Sequence, residues 1–422
     1  MGAGVMHSRS IEFAKKFDVP LMVRNARSDA VGTWIVPEAP WMTEIPACGA
    51  ALAADEARVV LEGVPDRPGV SHRVFSALAD ANIAVDMIAQ SVGTGERATI
   101  GFTVLNAELD RTKKILAPLV AELGATLNET GKVSKVSVVG AGMRAIAGVA
   151  ERMFQALADE GVNLKMITTG DIKISVLIEE DGAPESAVIE SPPGEPIKKA
   201  HLESKKAVRG RKALRAVHTA FGLSQPRKGA GAQPAPHAEF KPRPSPLVVA
   251  AEKEREAALA RLAGMEDVLV SGAHLNNEQS RITIYDLPDL PGNCSKVFNA
   301  VATGGILVDM IVQNQSGPTK AELSFTVPRA DLTRALKRTQ DVVRTIDAGC
   351  RVVGDGDIAV LFVLGVGMRT HTGVAKTMFG ALAAKGINIA MINTSEVCVG
   401  VVVERSRGEE ALACLTEAFK LG

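Results

Sequence analysis

The sequence has no excess charge of either sign, no paired cysteines and no long apolar run. Lysine plus arginine and aspartate plus glutamate both number 48, so no net charge favours nucleic acid or an anionic membrane as a partner. The five cysteines lie apart, without a CxxC pair or a neighbouring histidine, which argues against zinc and against a disulfide framework. No apolar run approaches the ~18 residues of a membrane span, and the N-terminal residues lack the charged region followed by a hydrophobic one that is typical of a signal peptide. We therefore expect a cytoplasmic protein whose partners are small molecules or further copies of itself.

From Glu44 onward the chain of 422 residues repeats itself. The pairs that recur at one constant spacing are Gly49 and Gly272, Pro68 and Pro291, Asp86 and Asp309, and Phe102 and Phe325. The first copy also holds an extra segment, at about 184–210, which lacks apolar periodicity and is predicted to be a solvated loop. The length and the repeat together predict several compact domains.

Each copy contains two related units. Alternating strands and helical apolar stripes predict the order βαββαβ, which makes the fold class α+β with tandem ferredoxin-like units in two pairs. The even units lack a sixth strand, and an open sheet edge is unfavourable unless another strand pairs with it. Orphan strands precede the odd units at 46–52 and 268–271. We therefore predict that unit 1 is inserted in unit 2, and unit 3 in unit 4.

The predicted organisation also includes a short N-terminal segment and a linker between the copies. The linker is rich in proline and is followed by a charged helix, so the copies are expected to be tethered modules that fold separately. The predicted boundaries are 1–42 for the N-terminal segment, 43–131 for unit 1, 132–224 for unit 2, 225–263 for the linker and helix, 264–354 for unit 3 and 355–422 for unit 4.

Several long motifs coincide in order with those of one known family. They are Val64-Pro-Asp-Arg-Pro-Gly-Val, Val85-Asp-Met-Ile-Ala-Gln, Ser324-Phe-Thr-Val-Pro-Arg-Ala-Asp-Leu and Gly365-Val-Gly-Met-Arg-Thr-His-Thr-Gly-Val-Ala. These motifs resemble the regulatory region of aspartate kinases (aspartokinases), which is built of ACT domains. Residues 2–24 resemble the closing part of that family's kinase domain.

The resemblance implies the feedback-sensing part of an enzyme that phosphorylates L-aspartate with ATP. It further implies that most of the kinase domain lies outside this chain, so that the chain alone is inactive and holds no cofactor, ATP and Mg belonging to the kinase domain. Its effector would be a free amino acid, lysine or threonine, and ACT sheets would join two chains as a homodimer. The alternative is a free-standing ACT-domain sensor that regulates a separate enzyme.

The turn between the first strand and first helix of each odd unit is the candidate binding site. Its backbone N–H groups and helix dipole suit an α-carboxylate, while an aspartate and a glutamine amide suit an α-ammonium group. Proline and glycine shape the turn, and an asparagine of the even units is a candidate for contact across a unit interface. The candidate residues are Asp66, Pro68, Gly69 and Gln90 at the first turn, Asp289, Pro291, Gly292, Asn293 and Gln313 at the second turn, and Asn163 and Asn388 in the even units.

The second turn is expected to be the stronger site, because Ser91 replaces the asparagine found at Asn314. The plain alternative is that both are only turns. Gly140-Ala-Gly-Met-Arg-Ala fits a dinucleotide fingerprint, but a paired strand follows where that fold needs a helix, so we expect no nucleotide there. We assign no catalytic and no metal-binding residue. Four methionines are expected to fill gaps in the core: Met87, Met166, Met310 and Met391.

Overall fold

The computed structural model describes most of the repeat region and parts of the N-terminal segment. The described residues are 6, 10–11, 14, 19–29, 32–35, 43–93, 96–144, 146–170, 172–180, 208–225, 269–317, 319–366, 373–395 and 397–421. Most of the predicted insertion and nearly all of the predicted linker and charged helix lie outside these residues.

The strands form a small two-stranded sheet and one 14-stranded sheet. The strands are β1 Leu21–Val23, β2 Thr33–Ile35, β3 Gly49–Pro65, β4 Ile88–Val92, β5 Arg97–Leu105, β6 Thr126–Val139, β7 Met166–Gly170, β8 Lys173–Glu179, β9 Leu269–Asn276, β10 Gln279–Pro288, β11 Ile311–Gln315, β12 Lys320–Pro328, β13 Arg351–Asp355, β14 Ile358–Val366, β15 Met391–Thr394 and β16 Cys398–Glu404. The helices are α1 Val70–Asp80, α2 Leu109–Leu123, α3 Val149–Asp159, α4 Val208–Ala220, α5 Asn293–Ala302, α6 Leu332–Ile346, α7 Gly373–Ala384 and α8 Gly408–Ala418.

Each odd unit is inserted in the following even unit, as predicted. The start of β3, from Gly49 to Ala53, pairs with the end of β6, which belongs to unit 2. In the second copy β9 pairs along β14 of unit 4. The leading strands thus cover the edges that the missing sixth strands would leave open. The fold class is confirmed, whereas the exact domain boundaries stay predictions.

In two places, consecutive strands that the sequence predicted to be separate form one continuous strand in the structure. β3 joins the orphan strand to the first strand of unit 1, and β6 joins the last strand of unit 1 to the first of unit 2. Each long strand changes its pairing partner along its length. The change is accompanied by register shifts around Glu56 in β3 and by Lys132 in β6, which has a φ of 59°. Bulged strands can bend without a break, so no turn residue marked these junctions in the sequence.

The strand predicted from Ile83 begins only at Ile88. Residues 83–87 are extended but irregular, because the Asp86 and Met87 backbone groups bond to Thr103 on β5 out of ladder register. Helix α1 matches its prediction, since Val70, Val74, Phe75 and Leu78 are all buried on one face.

The expectation of separately folding copies is wrong, because the units pair between the copies. The strand order is β13-β10-β12-β11-β7-β8-β6-β3-β5-β4-β15-β16-β14-β9. Strand β11 of unit 3 pairs with β7 of unit 2, and β4 of unit 1 pairs with β15 of unit 4. The side-by-side association that the sequence led us to expect between two chains therefore occurs within one.

Aromatic side chains pack together at both interfaces between the copies, that between units 2 and 3 and that between units 1 and 4. The rings of Phe154 and Phe298 lie 5.3 Å apart between units 2 and 3, and those of Phe75 and Phe379 lie 5.5 Å apart between units 1 and 4. One hydrophobic core spans units 1 and 4, and a second spans units 2 and 3. Pairing across the copies thus buries the apolar helices that a single unit would leave exposed.

The half of the sheet formed by units 1 and 4 contacts the half formed by units 2 and 3 mainly through strand residues. These residues belong to a third apolar cluster, which includes one methionine from each unit. The four methionines, each at most 1% exposed, are Met87, Met166, Met310 and Met391. Flexible methionine side chains fill such irregular space well. The polar rim of this contact includes Arg58, which donates two hydrogen bonds of 3.0 Å to Gln315 of the other half.

Of the N-terminal segment, the structure shows the hairpin-like pair β1 and β2 and helical positions at Ser10, Ile11 and Ala14. The predicted insertion boundary shifts slightly, because α4 already begins at Val208. Among the described residues, every helix is too short or too polar to cross a bilayer.

Candidate functional site

The two odd-unit turns have the same backbone conformation. Gly69 has φ 90° and ψ −13°, and Gly292 has φ 90° and ψ −17°, each immediately before the first helix of its unit. Only glycine adopts this conformation without strain, and the preceding prolines, Pro68 and Pro291, fix the approach. Neither α1 nor α5 has a side-chain cap. The Val70 and Asn293 N–H groups donate to the turn oxygens of Arg67 and Leu290, so it is the N–H groups after these two residues that no side chain caps.

The aspartate of each turn contacts an asparagine of the neighbouring unit. Asn388 of unit 4 donates a 2.8 Å hydrogen bond to the Asp66 carboxylate of unit 1. Asn163 of unit 2 donates bonds of 2.9 Å to the Asp289 carboxylate and 3.1 Å to its backbone oxygen. The two asparagines therefore lie across a unit interface, and each reaches into the other copy of the repeat.

The glutamines at the middle of β4 and β11 connect their turns to the neighbouring unit. Gln90 accepts a 2.6 Å bond from Ser71 on α1 and donates a 2.7 Å bond to the backbone oxygen of Ile389. Gln313 donates a 2.7 Å bond to Leu164 in the same manner and accepts from the thiol of Cys294. The oxygen and the nitrogen of each amide thus already have a partner within the protein, and their predicted contact with an α-ammonium group stays a prediction.

The Cys294 thiol is protonated in this environment. Burial raises its pKa to about 12, and the nearby Asp289 carboxylate acts in the same direction. The thiol is therefore a hydrogen-bond donor to Gln313 rather than a nucleophile. In the first copy Ser71 fills the same role for Gln90.

Asn293 differs from its counterpart in the first copy. Its side chain is buried and donates a 2.9 Å bond to the Pro288 backbone oxygen, which closes the second turn on itself. Val70 stands at the equivalent position of the first copy and is buried on α1. Asn293 thus stabilises the turn from within.

Sequence reasoning missed Lys165. Its ammonium group lies 2.9 Å from the Asp289 carboxylate, in the site expected to hold a free ligand, and 3.9 Å from Glu179. The cavity that remains at this turn has a volume of only about 10 Å³. The sequence feature that could have indicated this role is a difference between the copies, since the second copy has Ala390 at the position where the first copy has Lys165.

A larger cavity, which sequence reasoning also missed, lies at the turn of unit 2. Its volume is about 520 Å³, and Gly148, Val149, Thr169, Asp309, His274 and Phe362 are among its lining residues. Gly148 has φ 86° before α3 and repeats the conformation of the odd-unit turns. Residues of units 2 and 3 line the cavity together with residues of β9 and β14.

The arrangement has the chemistry of an amino-acid site. Uncapped helix N–H groups suit a carboxylate, and a partly buried carboxylate held by an asparagine amide suits an ammonium group. The groups come from two units, so the space between them changes with the angle at which the units pack.

Known proteins resemble this chain both in sequence and in fold. A family model described as an ACT domain matches residues 58–117, 136–188 and 361–419. An aspartate kinase of Pseudomonas fluorescens is 39% identical over 229 residues, which cover 54% of this chain and 49% of the relative. An aspartokinase of Helicobacter pylori is 42% identical over 183 residues, which cover 42% of this chain and 45% of the relative.

Among solved structures, the crystal structure of aspartate kinase from Synechocystis superposes with a TM-score of 0.71 at 28% identity. The match covers 99% of this chain and 64% of that one. The chain spans about half the length of the two sequence relatives above. It is built of tandem ACT units and is homologous to the aspartate kinases.

Proposed function

We propose that this chain is the regulatory part of an aspartate kinase and that it senses lysine or threonine, the end products of the pathway that phosphorylation of L-aspartate opens. The observation that carries the proposal is the Asp66–Asn388 contact beside the uncapped start of α1. A carboxylate and an anion-binding helix start, only a few residues apart, match the two charges of a free α-amino acid.

In this proposal the α-carboxylate of the effector binds the N–H groups that follow Val70 in the first turn of α1, and the α-ammonium group binds Asp66. Asn388 belongs to the opposite unit, so a bound effector contacts units 1 and 4 at once. Such a ligand favours the packing angle at which both sets of contacts form, and the difference in affinity between two packing angles is the regulatory signal. Coupling of this kind is typically about 1 to 3 kcal/mol.

The kinase reaction itself, with its ATP and Mg, belongs in this proposal to the kinase domain rather than to the ACT units. The predicted cytoplasmic location and the homodimer remain part of the proposal. The outer edges of the sheet, β9 and β13, are the strands that a second chain would pair with.

Calorimetric titration of the chain with L-lysine and with L-threonine tests the proposal. We expect saturable heat and a rise in melting temperature with at least one of the two. The D-enantiomers are matched controls, since they carry the same charges and cannot align both groups with the side chain. If neither L-amino acid produces heat or a thermal shift up to millimolar concentration, the proposal fails.

A further inference from the structure

We propose that Lys165 is a built-in occupant of the unit 3 turn and that, of the two odd-unit turns, the one at Asp66 binds the free amino acid. This inference rests on the proposed function and reverses the order of the two sites expected from the sequence. It makes Lys165 a residue that determines which turn responds to effector.

Both oxygens of the Asp289 carboxylate already have a side-chain partner. One oxygen accepts from Asn163 at 2.9 Å, and the other contacts the Lys165 ammonium at 2.9 Å. The Asp289 side chain is 3% exposed, and the Lys165 side chain is 17% exposed. A free α-ammonium group would have to displace a tethered ammonium, whose effective concentration at the site is high because it is part of the same chain.

The surroundings of this pair add positive charge. Burial lowers the pKa of Arg58, and the nearby Asp289 and Glu179 carboxylates partly offset this effect by raising it. Asp289 therefore interacts with the positive charges of Lys165 and Arg58, and Lys165 also lies 3.9 Å from Glu179. The negative charge that an incoming ammonium group needs is already neutralised.

The other pair has the same backbone and lacks the ammonium group. The Lys165 N–H donates to the Leu177 oxygen at 2.9 Å, and the Ala390 N–H donates to the Val402 oxygen at 2.8 Å, so the two residues occupy equivalent positions. Within the described part of the chain, the Asp66 carboxylate accepts a side-chain hydrogen bond only from Asn388. A ligand ammonium can take the place at Asp66 that Lys165 takes at Asp289.

Counting bound amino acids per chain by equilibrium dialysis tests the inference, with L-lysine and L-threonine as probes on the full chain. Lys165→Ala is expected to bind one amino acid more than the wild type, and Lys165→Met is a second variant that keeps most of the side-chain volume. Asp66→Asn is expected to bind one fewer, and Asp289→Asn to bind the same number as the wild type.

Two further variants sharpen the test. Lys165→Ala combined with Asp289→Asn is expected to return to the wild-type number, because the new site needs the carboxylate. Ala390→Lys transplants the tethered ammonium to the first turn and is expected to lose one bound amino acid, as Asp66→Asn does. Lys337→Ala, on an exposed part of α6, controls for a general effect of losing positive charge.

The inference is overturned if the wild type binds one amino acid and neither Lys165 variant binds an additional one. It is also overturned if the Asp289→Asn variant no longer binds the amino acid that the wild type binds. Either result would leave intact the proposal that the chain senses a free amino acid, and would change only the turn at which it binds. Absence of binding in every variant, including the wild type, would instead refute the proposed function together with the inference.

Discussion

Asn388 donates a hydrogen bond of 2.8 Å to Asp66, although the two residues lie 322 positions apart in the sequence. The mirror contact runs the other way, from Asn163 in the first copy to Asp289 in the second. Each copy of the repeat therefore completes a turn of the other. Neither copy alone therefore contains both residues of either contact.

The first prediction concerns this contact. Asn388→Ala removes the amide that orients Asp66, so we expect the affinity for the effector to fall by about 1.5 to 3 kcal/mol, the usual effect of losing a hydrogen bond to a charged group. Titration calorimetry measures the change. Asn163→Ala is the matched control, because it removes the same contact from the turn that Lys165 occupies. Equal losses of affinity in both variants would contradict the prediction.

The second prediction concerns the turn glycine. Gly69→Ala places a side chain at φ 90°, where it is strained even though the nearest atom, the Ala383 Cβ, would be 3.7 Å away. We expect a loss of about 1 to 3 kcal/mol in the free energy of unfolding, together with weaker effector binding. Urea unfolding measures the first effect.

Gly49→Ala is the control for that experiment. Gly49 lies in β3, and an added Cβ would meet no atom within 4 Å. Its backbone is extended, so we expect its stability to stay within about 0.5 kcal/mol of the wild type. If both substitutions cost the same free energy, backbone strain at the turn is not the cause.

The third prediction tests whether the copies fold as one structure. Phe379 is 1% exposed and packs on Phe75 of the other copy. Phe379→Ala is expected to lower the free energy of unfolding by about 3 to 5 kcal/mol, the typical cost of truncating a buried aromatic ring. Hydrogen exchange should then show loss of protection in α1 as well as in α7. Loss confined to α7 would mean that the two copies unfold independently.

The sequence was sufficient to predict the units and their interleaving. Helix stripes such as Val70, Val74 and Leu78 report burial directly, and the missing sixth strands left an edge for which the orphan strands were the natural partners. The candidate turns could be predicted for the same reason, since proline and glycine mark them locally. These features depend on residues close to one another in the chain.

The pairing between the copies could not be predicted in this way. An edge strand such as β4 carries the same alternation whether its neighbour is a second chain or a distant segment of its own chain, and the choice depends on tertiary packing. The role of Lys165 follows from that pairing. The Lys165 ammonium group reaches Asp289 only because unit 2 lies beside unit 3. The difference between Lys165 in the first copy and Ala390 in the second therefore could not be interpreted from the sequence alone.

The last prediction concerns Glu322, a buried carboxyl group between the two halves of the sheet. It lies on β12 and is 2% exposed, and one of its oxygens lacks a hydrogen-bond partner among the described residues. Burial raises its pKa to about 8, and Asp286 acts in the same direction, whereas the Ser91 hydroxyl and the Arg281 and Arg351 guanidinium groups partly offset the rise.

The sign of the pH effect follows from this raised pKa. Between the pKa of the unfolded chain, about 4.5, and that of the folded state, about 8, the folded protein holds a proton that the unfolded chain has lost. The contribution of Glu322 therefore makes the protein less stable as pH rises through this window, and the loss is complete above it. A shift of this size corresponds to a few kcal/mol, with about 1.4 kcal/mol for each pH unit.

Glu322→Gln removes the titration while keeping the shape, so we expect it to be more stable than the wild type at pH 8 and to lose part of the dependence on pH. Urea unfolding at pH 5, 6, 7 and 8 measures both. Glu409→Gln, at an exposed position on α8, is the control and should follow the wild-type curve. If the difference between Glu322→Gln and the wild type is the same at every pH, then Glu322 does not titrate in this window, and the contact between the two halves is insensitive to its charge.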